Sequence, residues 1–194
     1  MEITTEHIKE LRDATGVSVM QCKKALEESG GDMEKAKIVL QKQSKVAASK
    51  KGDRDLGAGI VASYIHAGGT VGSLVELACE TDFVSKNEEF QKLAYDIAMH
   101  VAASTPQYLK RDEVTDEDEK KAREVFAKDI EGKPADIQEK IMEGKLDAHF
   151  GEKVLLEQPF IKDGDKTIKD LIETAVQKFG ERVELTRFAR FSIE

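Results

Sequence analysis

The run Val71-Gly72-Ser73-Leu74-Val75-Glu76-Leu77-Ala78-Cys79-Glu80 restricts what this chain can become more than any other stretch. It is apolar apart from Ser73 and two glutamates, and it follows the flexible Gly68-Gly69-Thr70. Such a run predicts a strand buried on most of its surface. Strand side chains alternate, so one face carries Val71, Val75, Leu77 and Cys79. The strand leads into a polar turn, Thr81-Asp82-Phe83-Val84-Ser85, with Ser85 and Glu88 spaced as a capping box for the next helix. Phe83 stands beside a carboxylate where the chain must turn at the surface. Two readings stay open for it: a binding residue on a loop held between rigid elements, or a staple folded back onto Phe90 or Leu93.

A second strand precedes the first. Residues 57–66 alternate, with Ile60, Ala62 and Tyr64 on one face, and Ala67-Gly68-Gly69-Thr70 supplies a turn, so the two strands form an antiparallel hairpin. His66, at the hairpin end, has no carboxylate neighbour in sequence and reads as an exposed turn histidine. After the 81–84 turn, Phe90, Leu93, Ala94, Ile97, Ala98 and Val101 recur at helical spacing until Pro106. Ala122, Val125, Phe126 and Ile130 resume that spacing. Lys133-Pro134 breaks it and opens a helix with Ile137, Ile141 and Phe150. Their wide polar faces predict a helical hairpin over about 113–150 that projects from the core. Val154-Leu155-Leu156 and Phe160 read as buried, with Pro159 forbidding a continuous helix. Thr167 and Asp170 open a last helix, with Ile168, Leu171, Ile172, Ala175 and Val176 inward, which ends at Gly180. Residues 183–193 alternate as a final strand.

Residues 2–44 predict three short helices. Thr4 or Thr5 caps the first, whose stripe is Ile8 and Leu11 and which Gly16 ends. Ser18 and Gln21 box the second, with Met20, Ala25 and Leu26 inward. Asp32 caps the third, with Met33, Ala36, Val39 and Leu40 inward. So small a module suits docking to a partner better than catalysis. Residues 43–54 turn small and basic, which reads either as an electrostatic contact or as a solvated helix tail and linker. The fold class is therefore α+β. A three-helix module over 1–45 and a basic linker over 46–55 precede a core over 56–194, in which helices pack on one face of a short antiparallel sheet.

Composition removes several functions. The chain has 38 acidic against 30 basic residues, a net charge of −8, and no Trp, which argues against direct nucleic-acid binding. No run approaches the roughly 20 apolar residues of a membrane span, and Met1-Glu2-Ile3 opens no signal peptide, so a cytoplasmic chain without membrane contact is expected. Cys22 and Cys79 belong to no CxxC or Cys/His cluster, so neither a metal site nor a disulfide framework is expected. There is no HExxH, no GxSxG and no phosphate-cradling glycine loop after a strand. A Cys79–His66 pair is the one nucleophile and base the hairpin would permit, set against a buried and inert cysteine. No catalytic residue and no cofactor are expected.

The residues also carry a family likeness. Leu11-Arg12-Asp13-Ala14-Thr15-Gly16, Cys22-Lys23-Lys24-Ala25-Leu26 and Gly30-Gly31-Asp32-Met33-Glu34-Lys35-Ala36 resemble the amino-terminal module of the elongation factor Ts family. Glu80-Thr81-Asp82-Phe83-Val84, Asp96-Ile97-Ala98-Met99-His100-Val101-Ala102-Ala103, Leu156-Glu157-Gln158-Pro159-Phe160 and Arg187-Phe188-Ala189-Arg190-Phe191 follow it in order. The resemblance implies a module of the ubiquitin-associated type. It also implies a guanine-nucleotide exchange factor for elongation factor Tu, the GTPase that delivers aminoacyl-tRNA, and no covalent step of its own. Thr81, Asp82, Phe83 and Val84 match the element that dislodges the partner's Mg²⁺. Met20 and Lys23 would belong to the docking contact of the helical module. His66 falls where longer members bring a histidine to the partner from a second core copy. Only one copy is present here, which implies a homodimer built on a two-fold interface.

Overall fold

In the computed structural model, which describes residues 3–131 and 134–193, the chain opens with helices α1 (Thr5–Thr15), α2 (Val19–Glu28) and α3 (Met33–Lys51). Strands β1 (Ala58–Ile65) and β2 (Val71–Cys79), the one-turn helix α4 (Asp82–Ser85) and the long helix α5 (Glu88–Ser104) follow. Next come α6 (Asp116–Ile130) and α7 (Ala135–Gly151), then the short strands β3 (Pro159–Phe160) and β4 (Asp163–Thr167). Helix α8 (Ile168–Phe179) and strand β5 (Val183–Ser192) close the chain. The α+β expectation holds. The hairpin β3–β4 was not foreseen, because Asp163-Gly164-Asp165-Lys166-Thr167 lacks the apolar alternation that marks a strand.

The run 71–79 is the central strand. β2 pairs antiparallel with β1, from Ala58↔Cys79 to Ile65↔Gly72. On its other edge it pairs antiparallel with β5, from Cys79↔Val183 to Val71↔Ser192, with a bulge at Glu76/Leu77. Its inward side chains Val75, Leu77 and Cys79 meet Phe90, Ile97 and Val101 of α5, Ile168 and Val176 of α8, and Leu155. Each fully buried Leu or Ile here contributes about 2 kcal/mol relative to an exposed one. Ser73, also inward and buried, satisfies its hydroxyl by donating to the Ala98 carbonyl. Gly68 and Gly69 reverse the chain at φ +93° and +73°, which a side chain would oppose.

The capping box expected at Ser85 and Glu88 is not formed. Ser85 closes α4, its hydroxyl donating to the Asp82 carbonyl at 3.0 Å, and α5 is capped instead by Asn87, whose Oδ1 accepts from the Glu89 N–H at 2.9 Å. The chain makes one extra helical turn before the long helix begins.

Helix α3 runs through most of the expected linker at 46–55, ending at Lys51. Gln, Lys and Ala are strong helix formers and no Gly or Pro intervenes before Gly52. The helix is held against α8, where Gln41 Nε2 donates to Asp170 Oδ1 at 3.1 Å and Lys45 pairs with the same carboxylate at 3.7 Å. The three amino-terminal helices bury a small core of Leu11, Val17, Cys22, Ala25, Leu26, Ala36 and Leu40. Met20, expected inward with Ala25 and Leu26, points to solvent at 76% exposure, and Cys22 takes the inward place.

Helices α6 and α7 form the expected hairpin around Ala122, Met142, Leu146, Phe150 and Val154. The inward stripe of α7 is Met142, Leu146 and Phe150, while Ile137 is exposed and Ile141 half-buried. Both sets fit a helical repeat, and the adjoining Val154 selects the one that continues into the same cluster. The break expected at Lys133-Pro134 has Lys133 outside the described residues; α6 ends at Ile130.

Two of the family-like blocks meet in the interior. His100, fully buried, lies with Nε2 2.9 Å from Gln158 Oε1, while the Ile161 N–H donates to its Nδ1 at 3.3 Å. That main-chain donor makes Nδ1 the acceptor and places the proton on Nε2. Burial holds the His100 pKa below the ordinary histidine value of about 6.5. Below that pH the unfolded chain takes up a proton that the folded chain refuses, so stability falls as pH falls. Urea midpoints at pH 7.5 and 5.5 are expected to drop more for the wild type than for His100→Gln. The His100 share is limited to about 1.4 kcal/mol per pH unit.

Candidate functional site

The ladder β2–β5 ends at Cys79↔Val183, and the turn carrying Thr81-Asp82-Phe83-Val84 starts there. Val84 is 4% exposed and plugs the core beside Phe90, while Phe83 one residue earlier is 83% exposed. The staple onto Phe90 or Leu93 is thus not made. Phe83 stands on a single helical turn whose neighbour is locked in the core.

The base of the turn is tied at several points. Cys79 Sγ donates to the Thr81 carbonyl at 3.2 Å. Thr81 donates from its N–H to Glu181 Oε2 at 3.0 Å and from its hydroxyl to Glu181 Oε1 at 2.6 Å. Glu80 accepts from the Arg182 N–H and from the Arg54 guanidinium at 3.1 and 3.3 Å. The Arg182 N–H first, and then Arg54, hold the Glu80 carboxyl below the usual carboxylate range. At the tip, Lys86 pairs with Asp82 at 2.6 Å and draws its carboxyl down in the same way, with both groups open to solvent.

On α2, Met20 and Lys23 are exposed together, Lys23 near Glu27 at 3.9 Å. A second exposed feature is the sheet face turned away from α5 and α8. Alternation and register put Val61, Ile65, Leu74, Phe191 and, just past the strand, Ile193 on that face. Ile65 lies across Gly72, where an added Cβ would meet its Cδ1 at 2.6 Å. Glu76 and Arg187, paired at 2.6 Å, make the other end of the face polar.

The family model described as Elongation factor TS matches residues 23–194 of this chain. The chain belongs to the elongation factor Ts family. It is similar to elongation factor Ts of Thermodesulfovibrio yellowstonii, 50% identical over 194 residues that cover 100% of this chain and 97% of that protein. The elongation factor Ts of Carboxydothermus hydrogenoformans is 49% identical, over 98% of this chain and 89% of that one. That of Thermosipho melanesiensis is 48% identical, over 98% of each. Like the rest of the elongation factor Ts family, the chain is a translation elongation factor.

Within this family member, His66 and the 81–84 turn do not meet. The register sets them at opposite ends of the β1–β2 hairpin, about 27 Å apart at the usual rise per residue. His66 is exposed, its Nδ1 3.1 Å from the Tyr64 hydroxyl. The same register separates His66 from Cys79, so the Cys79–His66 pairing is not formed. Burial raises the Cys79 thiol pKa, which keeps it protonated. Among the described residues, no three His, Cys, Asp or Glu side chains cluster to hold a metal, and no helix is long and apolar enough to cross a membrane. Glu181 and Arg182 were not foreseen. They follow a helix stop and lie a hundred residues from the turn they hold, so only the closing of the sheet brings them there.

Phe83 and Val84 should separate in urea unfolding. Phe83→Ala is expected to leave stability within about 0.5 kcal/mol of wild type. Val84→Ala should cost about 2 kcal/mol through lost burial and a cavity.

Proposed function

We propose that this chain is a guanine-nucleotide exchange factor for elongation factor Tu, with Phe83 as its working wedge. The observation that carries the reading is a large apolar side chain held out in water by a turn whose Thr81 and Val84 are fixed. An exposed Phe gains by entering a gap in a partner, and its rigid base means that little conformational freedom is lost on docking. GDP is held in such a GTPase through phosphates and Mg²⁺, which offsets their charge. A protein that binds the state in which the ion is displaced weakens GDP by differential affinity alone. Thr81, Asp82, Phe83 and Val84 disturb the Mg²⁺ site, with Asp82 as a carboxylate for loosened polar groups. Met20 and Lys23, on the module over 1–45, hold the nucleotide domain. No covalent chemistry is needed, so the protein is not an enzyme and uses no cofactor of its own.

The active form is a homodimer through the open sheet face. Val61, Ile65, Leu74, Phe191 and Ile193 make an apolar surface of the kind that marks an association site. A self-complementary patch on that face gives a closed two-fold pair. In this arrangement the turn of one subunit and His66 of the other address the same partner, since one chain holds the two about 27 Å apart.

Release of a fluorescent GDP analogue from elongation factor Tu tests the wedge. Catalytic amounts of the protein should speed release, and Phe83→Ala should slow it at least tenfold; binding without faster release would leave a docking adaptor. Sedimentation tests the assembly. The wild type should run at twice the chain mass and Phe191→Asp at the single mass, and a wild-type monomer with full exchange activity would refute the dimer.

A further inference from the structure

We infer that Glu181 is the positioning residue of the Phe83 turn, a role that rests on the exchange reading above. An isolated helical turn such as α4 has no stability of its own, because nucleation fixes several residues for one hydrogen bond. The residue before it would ordinarily cap it, yet Thr81, in that N-cap position, makes no side-chain cap bond. Thr81 commits both its N–H and its hydroxyl to the two oxygens of Glu181 instead, at 3.0 and 2.6 Å. Direction is therefore given to the turn from outside, by the segment between α8 and β5.

That segment is framed in turn. The Arg182 N–H is held by Glu80, its guanidinium donates to the Arg54 carbonyl and to Glu184, and Arg54 returns to Glu80. Residues 80–81 and 181–182 are thus strapped together just past the last ladder pair, Cys79↔Val183. Arg54 ties the strap to the chain that leaves α3. The apolar core is already closed at this level by Val84, Val183 and Cys79. The Thr81–Glu181 and Arg54–Glu80 bonds lie at exposed positions, where such contacts add little to global stability, so the Glu181 arm of the strap is an aiming device more than a support. A displacement of the order of 1 Å at a working group is enough to cost a large factor in rate.

The test is Glu181→Ala in release of the fluorescent GDP analogue from elongation factor Tu, titrated with the factor. The rate at saturation should fall about tenfold, while the half-saturating concentration moves less than threefold and the urea midpoint stays at the wild-type value. Glu181→Gln, which keeps one carbonyl acceptor, should fall between the two. Thr81→Val, which removes the hydroxyl, should add nothing to the loss already caused by Glu181→Ala. Should Glu181→Ala lower the urea midpoint, Thr81→Val decides alone, and a wild-type maximal rate in that variant overturns the strap. A wild-type maximal rate for folded Glu181→Ala alongside a slow Phe83→Ala also overturns it and leaves the exchange reading standing. Failure of the wild-type protein to speed release would sink the exchange reading instead.

Discussion

The backbone of Val71–Cys79 is hydrogen-bonded along both edges, to β1 on one side and β5 on the other. A buried amide without a partner costs about 1–3 kcal/mol, so a strand this apolar must find two neighbours or stay unfolded. One neighbour comes cheaply through the Gly68-Gly69 turn. The other lies about a hundred residues away, and everything between must fold so that β5 can return. Helices α5 and α8 cover the inner face of the resulting sheet, and the outer face is left with Ile65, Leu74 and Phe191 in water. The ends of the same strand give the remaining landmarks: His66 where it begins, and the 81–84 turn where it stops.

A fixed base and a free tip have different physical roles at that turn. Val84 and Cys79 tie it to the core, and Glu181 and Glu80 tie it sideways. Phe83 alone receives nothing from the fold. Burying a side chain of this size in a partner gains about 2–3 kcal/mol, enough to shift a binding equilibrium by one to two powers of ten. In the proposed role this gain appears only when the partner opens a gap, so it favours the open state. The linkage is reciprocal: whatever factor the protein takes from GDP affinity, GDP takes from the protein's own.

Most of this was written in local sequence. The central strand, the hairpin, α5 and α8 followed from periodicity and caps, and the capping box at Thr167 and Asp170 forms as read, with N–H to side-chain distances of 3.0 and 3.1 Å. Sequence and structure part where a pattern has two solutions of similar quality. Met20 fits an inward helix position as well as Cys22 does, and only packing against α1 and α3 chooses between them. Ile137 and Ile141 lost to Met142 and Leu146 for the same reason. Over 46–55 the helix tail outruns the linker, as far as Lys51, because Lys, Gln and Ala prolong a helix wherever nothing stops it. Of the site, the place of the turn is legible, the exposure of Phe83 stays between two readings, and the support is hidden, since Glu181 and Arg54 are surface charges until the tertiary fold gives them partners.

The junction between α3 and α8 differs in kind from the core beside it. It adds polar contacts to apolar packing: Gln41 and Lys45 hold Asp170, Ser44 is buried with its hydroxyl turned back to the Gln41 carbonyl, and Ala48 packs against the main core. Glu173 sits in it with one carboxyl oxygen, Oε2, buried and without a hydrogen-bond partner, and burial raises its pKa. A charge placed so adds no cohesion; it opposes closure of the joint by its desolvation. The three amino-terminal helices are joined to the core by these contacts and by the unbroken course of α3, a 19-residue helix after which the chain reaches the Arg54–Glu80 pair. The contacts of α3 with α8, together with its unbroken run, set where Met20 and Lys23 stand relative to the turn that bears Phe83.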